Sequence, residues 1–163
     1  MNGLDRRWTA ALAGLGSALL LLGALGFQAV GYAPCEMCIW QRWPHLAAPI
    51  VAALIVAAGW SRWLAALGLI AALAATGLAA WHAGIEWGWW QGVTACTGGV
   101  GDLTSLSTAD LMARLNAAPV VRCDEPAWVF LGISMAGWNA IFSALLSGVW
   151  AWSFARPARP WAR

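Results

Sequence analysis

The sequence predicts an all-α, polytopic membrane protein: a four-transmembrane-helix bundle with one long non-cytoplasmic loop that carries a short amphipathic helix. Three observations carry that expectation. Of 163 residues, 61% are hydrophobic and only 10% are charged, whereas a soluble domain carries about 25%. Four stretches free of Asp, Glu, Lys and Arg reach or approach the roughly 20 residues a helix needs to cross a hydrocarbon core. The tryptophans, 14 in all, gather at the ends of those stretches. So little charge disfavours a soluble enzyme and a disordered tail alike. A net charge of +2 supplies no basic stripe for nucleic acid. The length suits a single domain.

The charge-free runs are 8–35, 43–61, 63–85 and 126–155, which place the spans near 9–30, 44–60, 64–82 and 128–152. The first, behind Arg6 and Arg7, also has the look of a signal peptide, with a small residue near Ala33. Its apolar stretch is longer than an h-region and three more spans follow, so it is read as a span. The arginine pair before Trp8 is read as a topology signal, not a twin-arginine export signal. The second is the shortest, with Pro44 in a first helical turn, where proline is tolerated, and with His45 and a potential kink at Pro49. Arg62 and its neighbours alone separate spans two and three, which must form a tight helical hairpin. The fourth carries Trp138 and Asn139 near its middle, a pair read as packing glue between helices. The loops are then 31–43 and 83–127.

Arginine fixes the orientation. One face receives Arg6, Arg7, Arg62, Arg156, Arg159 and Arg163 with Asp5 as its acid. The other receives Arg42, Arg114 and Arg122 against Glu36, Glu86, Asp102, Asp110, Asp124 and Glu125. Both termini are therefore expected in the cytoplasm. The aromatic belts agree: Trp8, Trp60, Trp63, Trp150 and Trp152 would mark the inner interface, and Trp40, Trp43, Trp81, Trp87, Trp89, Trp90 and Trp128 the outer one.

The same arithmetic puts all four cysteines on the non-cytoplasmic side, where the compartment is oxidising. Cys35 and Cys38 form a C-x-x-C in the short loop, and Cys96 and Cys123 stand far apart in the long one. A zinc site is one reading, but the second pair lacks the close spacing of a zinc ribbon. Haem attachment would need a histidine directly after the motif, and Ile39 stands there. Structural staples are another reading, yet a C-x-x-C ring closes too short a loop to remove much chain entropy. The spacing favours redox chemistry, in which one thiol is made acidic. With span two starting near Cys38, that thiol lies at a helix N-terminus, whose dipole favours a thiolate. Arg42 follows four residues later on the same face. It is read either as a functional cation or as an arginine snorkelling to head groups. No G-x-G-x-x-G opens a helix after a strand, and no flavin or haem site is visible. By elimination, a quinone is the lipid-soluble two-electron acceptor at hand.

These residues resemble the bacterial membrane disulfide oxidases of the disulfide bond formation protein B family. The resemblance lies in Pro34-Cys35-Glu36-Met37-Cys38-Ile39-Trp40-Gln41-Arg42, in the pair Cys96 and Cys123, in Phe130-Leu131-Gly132, and in Gly84-Ile85-Glu86-Trp87-Gly88-Trp89-Trp90. It covers nearly the whole chain. It implies a bacterial inner-membrane, multi-pass protein with its cysteines facing the periplasm. The reaction implied is reoxidation of a periplasmic DsbA-like, thioredoxin-fold dithiol protein, with two electrons passed to a quinone. Cys96 would meet the partner's cysteine as a mixed disulfide, Cys123 would resolve it and pair transiently with Cys35, and Cys38 would face the quinone. Arg42 would polarise a quinone oxygen, and His82 is the candidate for the family's quinone-side histidine. A strongly oxidising partner needs a stronger acceptor, which favours ubiquinone, with menaquinone also open. One departure is visible: Ala136 follows Ser134-Met135 where the family often has proline, which bears on a helix kink.

In the long loop, Ser107 and Asp110 resemble a capping box. Leu111, Met112, Leu115 and Ala118 then share one face, Asp110 and Arg114 can pair at i, i+4, and Pro119 ends the helix. Such a helix either lies in the membrane interface and tethers the loop or is simply solvated. Two rivals to the oxidase stand: a reductase similar to vitamin K epoxide reductases, whose C-x-x-C comes late in the chain, and a non-catalytic scaffold stapled by disulfides. A metal transporter would want acids or histidines mid-span. Nothing in the sequence demands more than a monomer.

Overall fold

The computed structural model describes residues 5–92, 107–110, 112 and 121–156. Four long helices dominate: α1 (Arg6–Ala29), α2 (Glu36–Ala58), α3 (Arg62–Glu86) and α4 (Met135–Ala155), with a hairpin of β1 (Val129–Phe130) and β2 (Ile133–Ser134) just before α4. Each start is fixed by a side chain that satisfies orphan N–H groups. Asp5 accepts from the Arg7 and Trp8 amides, Ser61 from Trp63, and Ser134 from Gly137. At α2 the cap is a sulfur: Cys35 Sγ accepts the Cys38 N–H at 3.3 Å.

The helices pack as a closed ring. Each contacts its neighbours in chain order, and α4 returns against α1. Small residues allow this. The centre is built from Ala10, Ala13, Ala52, Ala65 and Ala72 around Ile55 and Trp150, a composition that lets helix backbones approach closely without a large apolar driving force. α1 and α3 are each long and apolar enough to cross a membrane. Long hydrophobic side chains such as Leu19, Leu22, Ile70 and Leu145 point outward.

A Cβ on Gly14 would overlap that of Ala52 and lie 3.3 Å from the Ala48 carbonyl oxygen. These neighbours have no rotamer with which to yield. Gly14→Ala is therefore expected to push α1 off α2 and cost about 1–3 kcal/mol, seen as a lower thermal midpoint in detergent. Gly23→Ala, on a helix face with open space at that position, is the control and should hold the midpoint or raise it, since alanine is the better helix former.

Three sequence expectations are corrected. The segment expected to open a span at 128 instead makes the β1–β2 hairpin, Val129 pairing Ser134 and Phe130 pairing Ile133. Leu131 and Gly132 turn it with φ of 52° and 77°. A charge count cannot see a turn that is itself apolar. Pro44 lies well inside α2, as does Pro49, because Cys35 starts the helix earlier than the apolar run suggests. Trp150 is not an interfacial residue: it is 0% exposed, and its indole fills the space that Gly68 leaves open.

At the end of the bundle where α1 and α3 begin, Arg6 lies over Trp60 at 4.2 Å and Arg62 over Trp63 at 5.7 Å, while Arg156 covers Trp152 at 3.9 Å. The Ser107–Asp110 cap forms as the sequence suggests: Ser107 Oγ donates to Asp110 Oδ2 at 2.6 Å and accepts the Asp110 N–H at 3.2 Å, with Thr108–Asp110 helical. Met112 is helical and exposed, while Leu111, Arg114, Leu115, Ala118 and Pro119 lie outside the described residues.

Candidate active site: a dithiol between a polar cluster and an apolar cavity

Both chemistry-bearing elements meet at the other end of the bundle. The first turn of α2 presents Cys35 and Cys38, whose sulfurs lie 3.0 Å apart as free thiols. The last turns of α3 present His82 and Glu86. Cys123 arrives from the long loop and is buried against Cys35, Met37 and Ile85. Next to it Arg122 grips Asp124 through two hydrogen bonds, 2.9 and 2.6 Å long. The guanidinium beside it holds the Asp124 carboxyl below the usual carboxylate range.

The two cysteines have different surroundings. Cys35 is 4% exposed and Cys123 only 1%. Cys38 is partly open and lines a cavity of about 440 Å³. The Cys35 thiol donates to the Cys38 sulfur, and that bond, reinforced by burial, pushes the Cys35 thiol up from its ordinary range. A thiolate shared by the pair therefore resides on Cys38. Limited alkylation of the reduced protein should label Cys38 well before Cys35, as read by peptide mass mapping. Equal labelling would contradict this arrangement.

The cavity runs between α1, α2 and α4. Its wall is mostly apolar, from Leu20, Ala24 and Phe27 on α1 to Phe142 on α4. Its rim is aromatic: Trp128 stacks on Phe130 at 5.8 Å and packs against Phe27 at 5.1 Å, and Trp138 stacks on Phe142 at 5.7 Å. The polar side chains that reach it include Cys38, Gln41, Arg42 and His45 from α2, Asn139 from α4 and Tyr32 from the loop after α1. Arg42 Nη1 donates to Gln28 Oε1 at 2.7 Å. Its Nε is buried without a hydrogen-bond partner among the described residues. A cavity of this volume with a few convergent polar groups is the usual form of a small-molecule site.

Of the residues singled out from sequence, the structure brings Cys35, Cys38, Cys123, Arg42 and His82 together. Cys96 lies outside the described residues. His82 does not stand on the cavity wall. It sits behind Cys35, its Nε2 3.6 Å from Cys35 Sγ and 3.9 Å from Glu86 Oε1, and Gln41 lies between its Nδ1 and the cavity at 2.8 Å. Glu86 in turn accepts a short hydrogen bond from the Ser134 hydroxyl.

Sequence reasoning missed Gln41, His45, Glu86 and the second role of Asn139. Asn139 is interhelical glue, since its Nδ2 donates to Gln41 Oε1 at 2.7 Å and its Oδ1 lies 2.9 Å from His45 Nε2. It also lines the cavity. The signal was there in spacing: Gln41 and His45, and Asn139, Ser143 and Ser147, recur every four residues on otherwise apolar helices.

An apolar helical bundle that buries a vicinal dithiol at its end, one sulfur turned to a third cysteine and the other to a cavity, defines a membrane thiol–disulfide oxidoreductase. The chain belongs to the disulfide bond formation protein DsbB family, whose match covers residues 6–153, nearly its whole length. It is therefore a helical membrane protein of disulfide bond formation. It is also similar to the uncharacterized protein RP370 of Rickettsia prowazekii (strain Madrid E), with 27% identity over 116 residues, 71% of this chain and 67% of that protein. No solved structure matches the chain.

Proposed function

We propose that this protein is an inner-membrane oxidase that takes electrons from a DsbA-like periplasmic dithiol protein and delivers them to a quinone, ubiquinone before menaquinone. The observation that carries the proposal is the split environment of the C-x-x-C: Cys35 against Cys123, Cys38 against the apolar cavity beside Arg42. In this reading all four helices span the membrane, both termini are cytoplasmic, the cysteines face the periplasm, and the working unit is a monomer.

With Cys96–Cys123 and Cys35–Cys38 closed, the partner's thiolate attacks Cys96 and Cys123 leaves as a thiolate. The electrons enter the C-x-x-C when that Cys123 thiolate attacks Cys35 and the Cys38 thiolate leaves. The partner's second thiol displaces Cys96, so the partner departs oxidised, and Cys96 then attacks Cys123, re-forming their disulfide and freeing the Cys35 thiol. Exchange of this kind conserves electrons, one disulfide forming as another breaks. Closing a disulfide from two thiols releases two electrons and two protons, and a quinone supplies the chemistry of accepting both. The chain's part is to hold it. The unpartnered Arg42 Nε–H and the amide of Asn139 are donors suited to carbonyl oxygens, and the leucine and phenylalanine wall suits a prenyl chain. Helix α2 holds Cys38 at its N-terminal turn, where the macrodipole stabilises the departing thiolate.

The test is optical. Purified protein in detergent, given a reduced thioredoxin-fold dithiol protein, should bleach ubiquinone absorbance catalytically. A folded protein that turns over neither ubiquinone nor menaquinone would sink the reading and leave a disulfide-stapled scaffold.

A further inference from the structure

The hydrogen bonds around His82 have a direction. The Met37 carbonyl can only accept, and Gln41 Nε2 lies 3.2 Å from it, so the amide nitrogen of Gln41 faces that way. The same nitrogen is 2.8 Å from His82 Nδ1. Two donors cannot face each other, so His82 Nδ1 is the lone-pair nitrogen and the imidazole proton sits on Nε2.

The far side of Gln41 keeps it from flipping. Its Oε1 accepts from Asn139 Nδ2 at 2.7 Å, and Asn139 Oδ1 accepts from Ser143 Oγ at 3.1 Å and faces His45 Nε2 at 2.9 Å. The result is one polarised row from His45 through Asn139 and Gln41 to His82. The sulfur end is compatible with this. With the Cys35 hydrogen on its bond to Cys38 Sγ, 3.0 Å away, Cys35 meets His82 Nε2, at 3.6 Å, with a lone pair.

We infer that Gln41, anchored by Met37 and Asn139, is a positioning residue that holds His82 in the Nε2–H tautomer and so makes it a hydrogen-bond donor to the Cys35 sulfur. His82 is then not the base that removes the Cys35 proton. It stabilises negative charge on Cys35 whenever that sulfur is expelled from a disulfide. Glu86 Oε1 lies 3.9 Å from the same Nε2, and the backbone of Cys123 also bonds the His82 ring. The inference concerns the thiol side of the site and stands without the quinone.

The same row argues against a metal at Cys35, Cys38 and His82, although their ligand atoms lie within 4.8 Å of one another. A coordinating Nε2 would need its proton moved to Nδ1, against the Gln41 N–H, where metal-bound histidines normally meet an acceptor. The two sulfurs, 3.0 Å apart, are also closer than the ~3.8 Å set by two zinc–thiolate bonds of about 2.3 Å in tetrahedral geometry.

The chain has only 2 histidines, which makes the tautomer directly readable. The reduced full-length protein, labelled with ¹⁵N-histidine in detergent micelles, should show His82 with a pyridine-type Nδ1 and a pyrrole-type Nε2 at pH 7, with His45→Asn as the assignment control. Gln41→Glu places an acceptor at Nδ1 and should turn that nitrogen pyrrole-type. Gln41→Leu should mix the two tautomers. A pyrrole-type Nδ1 on His82 in the unsubstituted protein overturns the inference, whether or not the variants fold. Loss of quinone turnover bears on the proposed oxidase and leaves the spectrum unaffected, so the two readings fail separately.

Discussion

Serine in place of Cys38 should abolish acceptor reduction, down to the rate of a protein-free control. A hydroxyl can neither close the C-x-x-C disulfide nor carry a thiolate at neutral pH, and Cys38 is the sulfur that lines the cavity. The thiol side should survive. Cys35 and Cys123 are buried in one cluster, so the variant should trap as a Cys35–Cys123 disulfide, visible by non-reducing peptide mapping. Retained turnover would move the acceptor contact to another cysteine. Loss of turnover without the trapped disulfide would separate Cys123 from the route.

Arg42→Met should lower acceptor turnover by about 10²–10³-fold, the scale seen when one donor to a developing oxyanion is removed. Arg42 is tied by Nη1 to Gln28 and lines the cavity beside Cys38, so its guanidinium is held against the space an acceptor would fill. Arg42→Lys keeps the charge and loses the planar fork, and should fall between the two. Steady-state titration of quinone separates kcat from KM. A Met variant indistinguishable from the unsubstituted protein would return Arg42 to an interfacial role.

Composition and charge-free runs made the helical bundle legible, since an apolar run of about 20 residues has few other fates. The C-x-x-C with Arg42 four residues on was legible because that spacing places them on one helical face. What the sequence hid depends on which faces meet. Nothing local tells Gln41 that it will lie against His82 of one helix and Asn139 of another. Trp150 reads as interfacial until Gly68 is seen to leave a slot for it. The β1–β2 hairpin was invisible because its residues are as apolar as a span. Glu86 passed as an ordinary loop acid because its partner, Ser134, is 48 residues away.

That hairpin has a mechanical consequence. The strands are joined at Leu131–Gly132 and closed at the base by the Met135 N–H donating to the Trp128 carbonyl at 3.2 Å. Tension on the chain ahead of Trp128 loads the rungs one at a time from the open end, the mode in which a two-stranded ribbon is weakest, while α4 stays capped by Ser134. Opening it frees the six residues Val129–Ser134, whose extended length of about 16 Å at ~3.3 Å per step, less the ~5 Å between the paired ends, leaves about 11 Å of slack. The tether behind Cys123 is thus a short extensible leash whose far end, the first turn of α4, does not move with the load.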